Sequence, residues 1–459
     1  MIAALKPYEE YKESGLPWVL HVPSTWKVVR NGSLFGQRNQ TGHEALPILE
    51  VSLKTGVRVR NFENSTRKQV MSDFGKYKHA ARGDVAYNTM RMWQGAVGVS
   101  PVDGLVSPAY VVARPYPDVE PRFFVALFRT DDYMSEIDNC SRGIVKDRNR
   151  LYWDQFKQIL SPCPPPAEQA AIVRFLDWAN GRLERAIRAK RKVIALLGEQ
   201  KQAIIHRAVT RGLDPSVRLK PSGIPWLGDI PQHWGTVRNL ALFSHRVEEG
   251  IPGLPVLQVS LHSGISAEAL DQFGRPKRLI ADHTKYKLIR KDDLAYNTMR
   301  MWQGAVGVSS TDGLVSPAYV VIRPRTGVHP RFYEFVFRTG VYKQQVNRHS
   351  TGIVSDRNRL YWESFKQMHN VLLPVEEQLA ICRFIQQETG SLNFAISRLE
   401  REIELLREYR TRLVADVVTG KLDVREAAAR LPDEAAPDTV EEPADVSDET
   451  EPFADETAA

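Results

Sequence analysis

Two stretches of the chain place apolar residues at strict 4,3 spacing. Leu183, Ile187, Lys190, Ile194, Leu197, Lys201, Ile204 and Ala208 form one stripe, and Leu392, Ile396, Leu399, Ile403, Leu406, Arg410, Leu413 and Val417 form the other. That period puts each stripe on one face of a long α-helix and predicts helix–helix pairing. Each run is entered through a proline and an early glutamate, Pro165 with Glu168 and Pro374 with Glu377, which suit a helix N-terminus. A core helix of a bundle would carry the same stripe, but two matching seams in one chain favour pairing with each other. Lys190, Lys201 and Arg410 in the seam should lower stability while setting register. Before each helix the texture changes to short alternating runs rich in Val, Tyr, Trp, Gly and Pro, such as GLVSPAYVVARP at 104–115, which predict strands and turns with few helices. The expected class is α+β, with mixed domains at 17–160 and 225–370 and long helices at 164–211 and 373–420.

The two halves are copies. Asp84–Pro115 recurs as Asp293–Pro324 with changes only at Val85/Leu294, Pro101/Ser310, Val102/Thr311 and Ala113/Ile322. Flanking segments recur in the same order: PWVLHVPSTW at 17–26 with PWLGDIPQHW at 225–234, GIVKDRNRLYWDQFKQ at 143–158 with GIVSDRNRLYWESFKQ at 352–367, and PPAEQAAIVRFL at 165–176 with PVEEQLAICRFI at 374–385. Stretches 36–82 and 247–291 match poorly, as do 130–142 and 340–351. A shared frame holding different loops suits two related specificities. A helix from Glu168 to Val209 is about 60 Å long, and the link from Thr210 to Trp226, with Pro215, Pro221 and Pro225, is too short to return along it. The expectation is a second domain at the far end of the first helix, its own helix running back antiparallel, and an approximate two-fold axis.

Charge narrows the partner. Residues 431–459 hold eleven acidic and no basic side chains, which leaves 62 Lys and Arg against 44 Asp and Glu in residues 1–430, a net +18. A body so basic points to a polyanion such as nucleic acid, the bland alternative being a solvated basic surface. The acidic 431–459 segment reads as a disordered solubilising extension, with an autoinhibitory DNA mimic as the alternative. No long apolar run is present, so the expected location is cytoplasmic, with no membrane partner. Cys140, Cys163 and Cys382 lack metal spacing. There is no GxxxxGK[ST], GxGxxG, HExxH or [ND]PP[YF] motif, and the eleven histidines are scattered. A recognition component that is non-catalytic by itself, with no metal and no bound cofactor, is expected.

Two segments carry candidate DNA contacts. The first is YNTMRMWQG, with Asn88, Arg91, Trp93 and Gln94 in one copy and Asn297, Arg300, Trp302 and Gln303 in the other. Asn and Gln can bond bidentately to adenine and Arg to guanine, while Tyr and Trp pack on sugar or base edges. The same segment equally reads as a strand and tight turn kept for folding, with Gly95, Gly98 and Gly104 as hinges. The second is a basic loop, Lys146, Arg148 and Arg150, then Arg357 and Arg359, just before Tyr152-Trp153 and Tyr361-Trp362. It fits phosphate contact or a docking surface for a partner. Lys54, Arg58, Arg60, Arg67 and Lys68, with Arg275, Lys277 and Arg278, lie in the unmatched stretches where direct readout should differ.

The order of globular domain, PxxEQxxI with a long helix, PWxxxIPxxW with a globular domain, and PxxEQxxI with a second long helix resembles the specificity subunit of type I restriction-modification systems, over about Trp18–Asp423. The resemblance implies two target recognition domains, each reading half of a bipartite double-stranded DNA site, separated by an antiparallel two-helix coiled coil. It also implies two modification (methyltransferase) subunits docked on the repeated segments, with restriction (endonuclease and translocase) subunits joining them. S-adenosylmethionine, ATP and Mg would be used by those partners and none bound by this chain. A coiled-coil scaffold that binds only protein would account for the helices but not for the charge, and a self-contained DNA-modifying enzyme lacks its motif.

Overall fold

The computed structural model describes residues 5–43, 45–60, 74–143, 149–261, 264–266, 285–352 and 358–432. They form two compact units, 1–189 with 403–459, and 190–402. Among the described residues no helix is long and apolar enough to cross a membrane.

In the first unit the strands Phe35–Arg38, Tyr110–Pro115, Val85–Asn88 and Val97–Val99 lie in that order as an antiparallel sheet. Alternate residues go to opposite faces, as the pleat requires. Val85, Tyr87, Val111 and Ala113 join the main core, in which Phe35, Phe123, Phe124, Phe128, Tyr133 and Phe156 are fully buried. Ala86 and Val112 face a smaller core with Leu49, Val51, Val57, Ala80 and Val106. Burial of the sheet on both faces explains the nearly continuous apolar runs of the 32-residue block. Two helices cover the main core, Pro121–Phe128 and Asp131–Cys140, and the Thr130 side chain caps the second by accepting from Tyr133 N at 3.4 Å. The second unit repeats the plan with Phe243–Arg246, Tyr319–Pro324, Leu294–Asn297 and Val306–Val308, and with helices Pro330–Arg338 and Gly340–His349.

The long helices run Pro166–Arg211 and Val375–Val418. In the second unit Lys190 Nζ donates to Glu402 at 2.5 Å and Lys201 Nζ to Asn393 at 2.7 Å, so one number climbs as the other falls and the segments are antiparallel. In the first unit Arg410 pairs with Glu184. The seam is buried at Leu183, Ile187, Ala208, Ile403, Leu413 and Val417, and half-buried at Ile194, Leu197, Ile204, Leu392, Ile396, Leu399 and Leu406. Off-stripe residues such as Leu196, Leu405 and Phe394 are exposed. All three seam cations thus have polar partners.

Each unit is completed by the end of the other copy's helix. Leu413, Val417 and Val418 pack with Trp26, Leu176 and Ala179 in the first unit, and Ile205, Ala208 and Val209 pack with Trp234, Ile381 and Ile385 in the second. The PxxEQ motif sits at these junctions. Gln169 Oε1 accepts from Glu120 N at 2.9 Å while its Nε2 donates to Pro164 O at 2.8 Å, and Gln378 does the same with His329 N and Leu373 O. Glu168 is buried and accepts from Tyr8 Oη at 2.7 Å and Trp26 Nε1 at 2.8 Å. Its counterpart Glu377 instead meets His233 Nε2 at 2.9 Å, and Trp234 Nε1 is buried with no acceptor among the described residues. The motif's acid and amide therefore build the joint between domain and helix.

Candidate nucleic-acid interface

The YNTMRMWQG segment is the end of strand Val85–Asn88, a 3-10 turn Met92–Gln94, and the entry to Val97–Val99. Asn88 is buried, and its Oδ1 accepts from Met90 N at 2.9 Å; Asn297 does the same for Met299 N. Trp93 Nε1 donates to Met90 O and Trp302 Nε1 to Met299 O, both at 3.0 Å, while the rings pack on the core. The asparagine Oδ1 and the tryptophan Nε1 are thus engaged in shaping the turn. Gln94 and Gln303 are exposed, Arg300 is exposed and Arg91 half-buried.

The three glycines do not act alike. Gly95 and Gly304 close the 3-10 turn at φ +89° and +97°, where an L side chain is strained. Gly98 and Gly104 are instead sites of close approach: a Cβ on Gly98 would lie 2.4 Å from Val57 N and one on Gly104 2.5 Å from Leu49 Cγ. The hinge reading of those two is replaced by packing of the hairpin 49–59 against the sheet.

The fold brings the second candidate segment onto the same end of the sheet. Leu151 N donates to Thr89 O at 2.9 Å, and Thr89 Oγ1 donates to Ala109 O at 2.9 Å, which ties the 88–91, 107–110 and 149–152 strips together. Leu360, Thr298 and Ala318 repeat this at 2.9 and 3.0 Å. Arg150 and Arg359 are exposed and bridge in antiparallel fashion to Arg142 and Thr351. Tyr152 and Tyr361 stand 47% and 49% exposed beside them. Lys146, Arg148 and Arg357 lie outside the described residues, as do Arg67, Lys68, Arg275, Lys277, Arg278 and the acidic segment from 433.

Half-buried cations that the sequence pattern did not single out hold this end in place. Lys78 Nζ donates to Tyr110 O at 2.8 Å and Lys287 Nζ to Tyr319 O at 2.7 Å, and burial lowers both ammonium pKa values. Arg129 Nη2 donates to Lys54 O at 2.9 Å and Arg338 Nη2 to Leu261 O at 2.6 Å, pinning the hairpins; desolvation lowers both guanidinium pKa values. No spacing rule could reveal them, because each bonds a carbonyl far away in sequence. In the unmatched stretch Lys54 is exposed and Arg58 pairs with Glu50 at 2.6 Å. At the opposite sheet end, Arg38 and Arg246 pair with Asp84 and Asp293 at 2.6 Å, and the latter pair lines an open polar depression with Glu248, Arg290, Lys291 and Arg323.

Among the described residues no three His, Cys, Asp or Glu side chains gather as a metal site. Burial pushes the Cys140 thiol up to about 11 and that of Cys382 to about 12, which keeps both protonated and poorly nucleophilic at neutral pH.

No protein-family model and no curated protein matches the sequence. Solved structures do match. A chain from work on complex assembly and conformational transition of the type I R-M system superposes with a TM-score of 0.62 at 15% identity, covering 87% of this chain and 99% of that one. The fold is one found in the type I R-M system. The HsdS subunit from Thermoanaerobacter tengcongensis matches with a TM-score of 0.44 at 17% identity over 87% of this chain and 98% of its own, and the S subunit from M. genitalium with 0.35 at 10% over 90% and 99%.

Proposed function

We propose that this chain is the DNA-specificity subunit of a type I restriction-modification complex, each unit reading one half of a bipartite site. The observation that carries the reading is the repetition of one polar, basic and aromatic sheet end in both units, built on a fold of the type I R-M system and on a body of net +18. Gln94, Arg91, Arg150 and Tyr152, with their second-unit counterparts, offer amide, guanidinium and ring faces suited to base edges and phosphates. The chain supplies recognition and no reaction step of its own. Two modification subunits would transfer the methyl group of S-adenosylmethionine to adenine, and restriction subunits would use ATP and Mg. The duplicated PW and PxxEQ segments would supply two similar framework joints for two such partners.

The test is reconstitution. The purified chain alone neither methylates nor cleaves DNA, and with saturating cognate modification subunits it forms a complex of one copy with two of theirs that methylates DNA. Methyl transfer by the isolated chain, or a stable one-to-one assembly, would count against the reading. Gel shift at two salt concentrations separates it from a protein-only scaffold, since phosphate-driven binding weakens steeply with salt.

A further inference from the structure

The internal duplication provides a comparison of surfaces, because two copies of one fold have diverged under one selection. Where the surface is only solvated, they have drifted. The helices Asp131–Cys140 and Gly340–His349 occupy the same place, yet of their ten aligned positions only the buried Tyr133 and Tyr342 are the same residue. The sheet end around 81–84 and 100–103 has drifted too, as Ala81/Arg290, Gly83/Asp292 and Pro101/Ser310 show. At the opposite end several exposed residues are kept, although Arg142 has its counterpart in Thr351. Met90 and Met299 are 37% and 41% exposed, Tyr152 and Tyr361 about half exposed, and Gln94 and Gln303 exposed, all without change. Packing accounts for only part of this retention, since Met90, Met299, Tyr152 and Tyr361 present 37% to 49% of their surface to solvent. The asparagine-capped turn requires Asn88, Gly95 and Trp93, but it places no demand on a glutamine at 94 or a tyrosine at 152.

Resting on the specificity reading above, we infer that this retained surface reads the same short run of bases in both half-sites, and that the diverged segments supply the bases that differ. A glutamine amide can bond bidentately to an adenine edge, an arginine fork fits guanine or phosphate, and a tyrosine ring packs on sugar or base. The net positive charge of the body favours DNA over an acidic-patch protein docking site for this surface. The target is thus two related half-sites: one shared element and one private element in each.

The experiment selects sequences from a random-duplex library with the full chain assembled with its modification subunits, for the natural chain and for Gln94→Ala and Gln303→Ala. The expected result is a bipartite target in which one short element recurs in both halves, in one orientation or the other. Gln94→Ala then relaxes preference about ten-fold or more at that element in one half only, and Gln303→Ala in the other half only, with assembly unchanged. A bipartite target whose halves share no bases in either orientation overturns the inference and leaves the specificity reading standing. Unchanged preference in both variants, or weakened assembly with unchanged preference, also overturns it and assigns the surface to a protein partner. Selection of no sequence at all would remove both.

Discussion

Trp26 and Trp234 fill the same position in the two units and are both fully buried, yet among the described residues only Trp26 has an acceptor, the buried Glu168 that it shares with Tyr8. Phenylalanine at either position removes a similar volume, so the difference between the variants isolates the hydrogen bond. Trp26→Phe should destabilise its unit more than Trp234→Phe destabilises the other, by about 1 to 2 kcal/mol, since a bond to a carboxylate is worth more than a neutral one. Hydrogen exchange in each unit measures this, and equal losses would show that Glu168 contributes nothing through the indole. On the proposed recognition surface, Arg91→Ala and Arg300→Ala should each cost roughly 1 to 3 kcal/mol of discrimination in one half-site if the fork meets a base. A loss spread evenly over all sequences would mark a phosphate contact instead.

Among the elements, the hairpin 49–59 and its counterpart are tightly constrained by close approach. Gly98→Ala places a methyl 2.4 Å from Val57 N and 2.8 Å from Gly56 Cα, and backbone cannot step aside as a flexible side chain can. We expect about 2 to 3 kcal/mol of destabilisation, with faster hydrogen exchange in 49–59 ahead of the rest of the unit; a variant as stable as the parent would contradict the close-packed reading. Gly307→Ala, at 2.7 Å from Ile265 N, should behave alike. The helical seam is more tolerant. Lys190 and Glu402 are about 30% exposed, so Lys190→Ala should cost no more than about 1 kcal/mol, and a loss of several would mean that the pair is desolvated.

For the whole molecule, each long helix runs from one unit into the other, and under the proposed function their length is the variable that bears on the gap between half-sites. Inserting seven residues at matched positions in both seams preserves the stripe and should change the unread gap while leaving each half-site unaltered. Sequence selection on the lengthened chain checks this. An unchanged gap would mean that the partners, and not these helices, set the spacing.

Periodicity, repeat and charge were legible without a structure. The 4,3 stripes at 183–208 and 392–417 fall inside the helices Pro166–Arg211 and Val375–Val418, because a one-dimensional period is local physics. The duplication, read at near-constant offset, predicted two equivalent folds. What only tertiary structure decided is the division of labour inside YNTMRMWQG. Asn88 Oδ1 and Trp93 Nε1 bond backbone two and three residues away, while Gln94 is left in solvent, and a sequence string cannot distinguish an amide that caps a turn from one that faces a ligand. It also took the fold to join Thr89 to Leu151 and to complete each unit with the other copy's helix end. Those contacts link residues tens to hundreds of positions apart, and they form only when two cores close around both faces of the sheet.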